Sequence, residues 1–456
     1  TCESWSNLTL QEGMANYAEY LWLEHKYGKE RADMHRANEL AGYLSSTEQG
    51  SIHPLIRYVY GDKEEMFDAH SYNKGGLVLH MLRTYVGDDA FFAALNFYLN
   101  KHKHTAVEVD ELRMAFEDVT GEDLNWFFDQ WFLTEGHPEI EFKYEYKEAE
   151  KVVVGYVTQK QTPAFRIPFD IAIIDENGKS TYEKIWVENT TDTFRINYTN
   201  RPAVVILDGH EDVLAVIDNE YTEEENFAMI QYSEHPIHRN NAFNQLSYTV
   251  EDYDRMINIG VNDRLYSIQS NAISMIGEDQ FPDYRNTLSQ LALKGSHTDV
   301  RSAAISKLSE NLAISKALIK EILATEQSNQ VISIALGSYA NVDFEEALIE
   351  AEKFDKLNDD GILEGIAAVY AQDQKNDRLN WFMNQIKNKS IYKSYPLFQF
   401  VLSYAGNRGD NGKTFNTVAQ EFYKMGMGQN IYKFKRYVAT FSILAIKMQM
   451  EEEGFD

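Results

Sequence analysis

The sequence predicts a multidomain α+β protein: a helical region, then a small antiparallel β-sandwich, then a longer helical region. Three observations predict it. Apolar residues recur at helical spacing up to residue 136, alternate with polar residues over 137–221, and return to helical spacing over 222–456. The 456 residues are enough for two to four domains. A content of 44% hydrophobic and 25% charged residues is ordinary for a chain that buries several cores.

The first region opens on WSNLTLQEGMANYAEYLW, residues 5–22, which reads as a helix. It sets Glu12 and Glu19 seven residues apart, two turns along one face, among Leu10, Tyr17, Tyr20 and Leu21. Gly28 ends this helix, and a turn-rich stretch follows around His53-Pro54 and Gly61-Asp62. Leu77, Leu79, Met81 and Leu82 mark the next helix, over 74–85, which Gly87-Asp88-Asp89 stops. Asp110 is placed to cap a helix through Leu112, Met114 and Phe116, and Gly121-Glu122-Asp123 opens one with Trp126, Phe127 and Trp131.

After Gly136-His137-Pro138 the period becomes 2: Ile140, Phe142, Tyr144 and Tyr146 alternate with Glu139, Glu141, Lys143 and Glu145. Val152, Val154 and Tyr156 continue the pattern, and Phe169, Ile171 and Ile173 lead to a tight turn at 175–178. Further strands at 185–187, 194–196 and 204–207 bring the count to the six or seven short strands of a small sandwich. Beyond Thr222, His297-Thr298-Asp299-Val300-Arg301 ahead of Ala303, Ala304, Ile305 and Leu308 looks like a HEAT-type unit. Similar apolar runs at 270–273 and 330–336 give it a rough period, which predicts stacked helix pairs forming a solenoid.

A net charge of −28, from 43 basic and 71 acidic residues, argues against nucleic acid and anionic membranes as partners. It is compatible with attracting cationic groups such as peptide N-terminal amines. The sequence holds no apolar run of membrane-spanning length. A single cysteine, Cys2, excludes an internal disulfide framework and reads as a small half-buried residue. Nothing in the sequence assigns a cell location.

A carboxylate in so apolar a stretch as 5–22 needs a partner, and a metal ion is one. Trp5, Leu8, Leu10, Gln11, Glu12, Gly13, Met14 and Ala15 resemble the Trp-x-x-Leu-x-Leu-Asn-Glu-Gly-Phe-Ala run of the aminopeptidase N family of zinc aminopeptidases, which are gluzincin metallopeptidases. In that family the run's glutamate binds zinc. Gln11 and Met14 depart from the commonest pattern, beside the ligand and not at it. Sixty residues after Glu12, Tyr72-Asn73-Lys74-Gly75 resembles the family's second fingerprint, Tyr-x-Lys-Gly, whose tyrosine donates a hydrogen bond to the oxyanion. A phenol suits that task because it is a fixed, neutral donor.

The resemblance implies a zinc aminopeptidase that removes N-terminal residues from peptides, with Glu12 as metal ligand and Tyr72 as catalytic residue. Glu19 matches a frequent acidic position of the same helix; it either orients a zinc-binding histidine or is a salt-bridged structural carboxylate. Residues 1–136 would be the C-terminal helical part of a thermolysin-like catalytic domain, 137–221 a β-sandwich domain, and 222–456 an α-helical HEAT-like domain walling the substrate chamber. The family's other two ligands belong to a His-Glu-x-x-His motif, which would precede Thr1. No such motif occurs here; His210-Glu211 is followed by Asp212, Val213 and Leu214. The sequence therefore reads as the C-terminal portion of such an enzyme, with the site for its one zinc ion incomplete, inactive alone. The rival readings are a non-catalytic aminopeptidase-like scaffold and a HEAT-type interaction module.

Other features carry less. His70 reads as a pocket-lining or solvated residue, His235 and His238 as part of a linker around Pro236, and Lys433, Lys435 and Arg436 as a solvated face.

Overall fold

The computed structural model describes residues 2–452 and 454, so the outermost ends of the expected first and last domains, residues 1, 453, 455 and 456, lie outside the described residues. The chain divides into two compact units, Thr1–Asp252 and Tyr253–Asp456.

In the first unit α1 (Thr9–Tyr27) and α2 (Lys29–Glu48) are separated by Gly28 at φ 89°, a conformation that favours glycine. A π-helical turn, His70–Lys74, runs directly into α3 (Gly75–Val86). Gly87 at φ 85° then turns the chain into α4 (Asp88–Lys101). Asp110 does not cap α5 (Val109–Thr120); Glu108 and Glu111 do, each side chain accepting the other's backbone N–H. Two carboxylates at this spacing satisfy two otherwise unpaired N–H groups and lie at the positive end of the helix dipole. α6 (Asn125–Phe128) continues into a second π-helical turn, Asp129–Leu133. Tyr17, Val78, Leu82, Phe91, Phe116, Phe127 and Trp131 are all buried in the core these helices share.

Seven strands follow: β1 (Glu139–Lys147), β2 (Val152–Gln159), β3 (Ile167–Asp175), β4 (Ser180–Val187), β5 (Thr191–Asn197), β6 (Pro202–Ile206) and β7 (Val216–Asn219). They form two small sheets, of order β5-β2-β1-β7 and β4-β3-β6. The alternation seen in the sequence is real at the start of β1, where Ile140 and Phe142 face the core and Glu139 does not. One pair departs from the expected antiparallel arrangement: β1 and β7 are parallel. A period of 2 identifies a strand but carries nothing about the direction of its partner. Inward residues of both sheets, among them Phe142, Val157, Phe169, Val187 and Val205, belong to the same core cluster as the helices. Two further helices, α7 (Glu223–Tyr232), capped by Thr222 and Glu225, and α8 (Pro236–Thr249), complete the first unit, with α8 packed on α2.

The second unit is helical: α9 (Tyr253–Val261), α10 (Tyr266–Met275), α11 (Phe281–Lys294), α12 (Thr298–Glu310), α13 (Lys316–Thr325), α14 (Asn329–Val342), α15 (Phe344–Asp355), α16 (Leu363–Tyr370), α17 (Leu379–Asn388), α18 (Ile391–Asn407), α19 (Lys413–Met427) and α20 (Lys433–Glu452). Even-numbered helices pack on one another in sequence, from α10 on α12 through to α18 on α20. Lys435 is not on a solvated face. It is buried, and its ammonium donates to the carbonyls of Ile386 (2.9 Å), Lys387 (3.2 Å) and Lys389, closing the C-terminal end of α17. Among the described residues no helix is long and apolar enough to cross a membrane.

Candidate functional site

Glu12 and Tyr72 come together where α1 crosses the start of α3. The crossing is close because glycines face each other across it. A Cβ on Gly75 would stand 3.0 Å from Gly13 Cα and collide with Thr9 Oγ1, and one on Gly76 would collide with Asn16. Thr9 Oγ1 donates to the Ser71 carbonyl at 3.1 Å, tying the π-helical turn to α1. The turn carries Tyr72 toward Glu12, close enough for that carboxylate to act on the Tyr72 phenol. Both side chains are half-buried. Burial, then the nearby Glu12 carboxylate, raise the Tyr72 phenol above its ordinary value, so it stays a neutral donor.

Among the described residues no lysine, arginine or histidine forms an ion pair with Glu12; the Tyr72 phenol lies close enough to feel its charge. A half-buried carboxylate with no cation beside it fits a metal ligand, and zinc takes carboxylate oxygen together with imidazole nitrogen. Glu19, two turns on, is more open: its side chain is 69% exposed and lies 3.8 Å from His35 Nε2, which in turn lies 3.7 Å from Glu39.

Lys74 is fully buried, its ammonium donating to the Gly136 carbonyl at 2.9 Å, and burial lowers its pKa to about 7. His70 is not solvated; it is fully buried, stacks on His53 with ring centroids 3.8 Å apart, and meets Tyr43 edge-on at 5.1 Å. Among the described residues neither His70 ring nitrogen has a hydrogen-bond partner, and burial, then the neighbouring His53, lower its pKa to about 3. His53, Asp68 and His70 bring one possible metal-ligating atom each within 4.8 Å of one another.

A second group of charges was not visible in the sequence. Asp33 on α2 is buried and accepts from Tyr20 (3.0 Å) and Lys29 (3.2 Å), with His235 at 3.3 Å and Arg36 at 3.6 Å. Burial works against its ionisation, but the neighbouring His235 and the Arg36 and Lys29 charges outweigh it and hold the carboxyl well below the usual range. Arg36 donates to the Glu211 carbonyl, His238 lies 3.2 Å from Glu211, and His80 joins Asp212 (3.1 Å) to Tyr17 (3.2 Å). Burial, then the Arg36 charge, lower His80 to about 4. His235 and His238 are thus buried members of this network and not linker residues; His238 lies in α8.

The sequence profile of the Peptidase family M1 domain matches residues 1–131. Aminopeptidase M1-C of Oryza sativa subsp. japonica is 28% identical over 145 residues, covering 31% of this chain and 16% of that protein. Aminopeptidase N of Streptomyces lividans is 29% identical over 174 residues, covering 36% of this chain and 20% of that protein. These curated relatives are therefore matched over a fifth or less of their own length. The crystal structure of Legionella pneumophila aminopeptidase A in complex with aspartic acid superposes with a TM-score of 0.62 at 15% identity, covering 98% of this chain and 62% of that chain. That likeness extends the shared fold over nearly the whole chain.

Proposed function

We propose, from the membership of residues 1–131 in peptidase family M1, that this chain serves in a zinc-dependent aminopeptidase and supplies two parts of its site, the metal ligand Glu12 and the oxyanion donor Tyr72. The observation that carries the reading is their meeting at the α1–α3 crossing, a cation-free carboxylate next to a neutral phenol. The chemistry a bound zinc ion supplies is Lewis-acid polarisation of a carbonyl and activation of water. Glu12 offers it one oxygen. Tyr72 would be a neutral donor beside it. In the reaction its hydroxyl donates to the carbonyl oxygen of the substrate as negative charge builds there, a contact strongest in the transition state. Glu19 serves as a positioning carboxylate for a zinc-binding histidine.

Peptides with a free N-terminal amine are the substrates, and a net charge of −28 favours their approach while giving nucleic acid no basic face. The second unit, whose even-numbered helices pack in series, serves as a HEAT-like helical domain. With one zinc ligand of three and no His-Glu-x-x-His, the 456 residues alone bind zinc weakly and hydrolyse nothing.

The test of Tyr72 uses a protein in which a His-Glu-x-x-His segment precedes residue 1. Tyr72→Phe is expected to lower kcat by about 10²–10³-fold with KM little changed. Equal activity of Tyr72→Phe and its parent would remove Tyr72 from the mechanism, and robust chelator-sensitive hydrolysis by the 456 residues alone would contradict the incomplete site.

A further inference from the structure

We propose that the His53–Asp68 pair is a positioning device that caps the π-helical turn His70–Lys74 and so fixes where the Tyr72 hydroxyl sits relative to Glu12; this rests on the reading of Tyr72 as the oxyanion donor. π-Helical turns are uncommon and concentrate at functional sites, because the wider turn re-aims a side chain at a cost in backbone regularity. Something must hold the turn in that form. Here the Lys74 N–H donates to the Ala69 carbonyl at 3.0 Å, five residues back, while the Tyr72 N–H donates to the Asp68 carbonyl at 3.2 Å.

Asp68 stands at the head of this turn and makes three side-chain contacts that order it. Its Oδ1 accepts the N–H groups of His70 (3.1 Å) and Ser71 (2.9 Å), two of the donors that a helix start leaves unpaired. Its Oδ2 accepts from His53 Nε2 at 2.9 Å. His53 is itself fixed on its other side, Nδ1 lying 2.8 Å from the Pro54 carbonyl, and its ring face lies on His70. The ring stack and the carboxylate thus grip the turn from two directions. The Ser71 carbonyl, one residue before Tyr72, is held from α1 by Thr9. Tyr72 is left with freedom only in its own side chain.

The same three residues do not converge on a metal ion. The His53 and His70 rings are stacked with planes 24° apart, so no single ion lies in the plane of both, where the nitrogen lone pairs point. Arg57 Nη2 also sits 4.0 Å from Asp68 Oδ2, a cation where a metal would have to approach.

The experiment places 3-fluorotyrosine at position 72 of the 456-residue chain and reads it by ¹⁹F NMR, with a second sample labelled at Tyr17, which packs on Tyr20 and Phe91 in the same unit. In the parent the Tyr72 signal is expected to be single and narrow and to shift in Glu12→Gln. In Asp68→Ala and in His53→Phe, which keeps an aromatic ring on His70, the signal is expected to move toward that of the urea-unfolded chain and to lose its response to Glu12→Gln, while Tyr17 stays unchanged. Asp68→Asn keeps an oxygen for the two N–H groups and is expected to restore most of the parent signal. An unchanged Tyr72 signal in both disruptive variants would overturn the proposal. So would collapse of the Tyr17 signal together with Tyr72, which would make the pair a general support of the unit, or near-stoichiometric bound cobalt or zinc that His70→Phe abolishes. The reading needs no turnover. A clamp seen by NMR beside an inactive longer protein would sink the proposed function and leave the clamp standing.

Discussion

Glu12 and Asp33 are both helix carboxylates of the first unit, one on α1 and one on α2, and their surroundings are opposite. Asp33 is buried among Lys29, Arg36, His235 and the Tyr20 hydroxyl. Glu12 is half-buried, and among the described residues it forms no ion pair, with the Tyr72 phenol nearby. A carboxylate ringed by cations holds elements together, because removing it strands those charges away from water. A carboxylate left beside a neutral donor adds little to folding and keeps its charge available to a ligand. The contrast separates structural acids from candidate ligands where the residue type alone does not.

The largest test of the contrast is Asp33→Ala. It leaves Arg36 buried without its carboxylate and is expected to destabilise the first unit by about 3–5 kcal/mol in urea denaturation, against under about 0.5 kcal/mol for Glu12→Ala. Equal losses at the two positions would erase the distinction. Next in size is Gly75→Ala, which forces α1 and α3 apart and is expected to cost about 1–3 kcal/mol. Gly277→Ala, where an added Cβ meets nothing nearer than Gln280 at 3.7 Å, is expected to be near neutral by the same measurement.

Acid sensitivity distinguishes the regions more finely. His80, in the network, and His70, beside the site, have folded pKa values of about 4 and about 3. Both lie below the unfolded value of about 6.5. As pH falls from about 6.5 to 4 the unfolded chain takes up protons that the folded chain does not, so stability falls, by at most about 1.4 kcal/mol per pH unit for each group. His70→Phe should make that fall shallower in a series of melts across this range and leave the His80 share intact. An unchanged slope would mean that His70 titrates normally when folded. The smallest expected effect is that of Tyr72→Phe on stability, within about 0.5 kcal/mol, since it removes one half-exposed hydroxyl.

The sequence made the helix-to-strand change near residue 136 and the return to helix near 222 legible, because each period is set by residues close together. The approach of Glu12 and Tyr72 was legible for a related reason. The residues that let α1 and α3 come together, Gly13, Gly75 and Gly76, are their sequence neighbours, so the proposed site and its packing share short motifs. The charge network was not. Arg36 and Glu211 are 175 residues apart and follow no period, and His235 and His238 beside a proline look like any turn. The cap of α5 misled for a local reason: Asp110 is the better cap by residue type, yet a Glu108–Glu111 pair at the right spacing does the work of a capping box.

The most direct measurement is zinc content together with hydrolysis of amino-acid p-nitroanilides, in a protein where a His-Glu-x-x-His segment precedes these 456 residues, set beside its Glu12→Ala variant. Near-stoichiometric zinc and turnover, both lost in Glu12→Ala, are the predicted result. Zinc and turnover that survive Glu12→Ala, or neither in the parent protein, would contradict the assignment of Glu12 as the ligand of an aminopeptidase site.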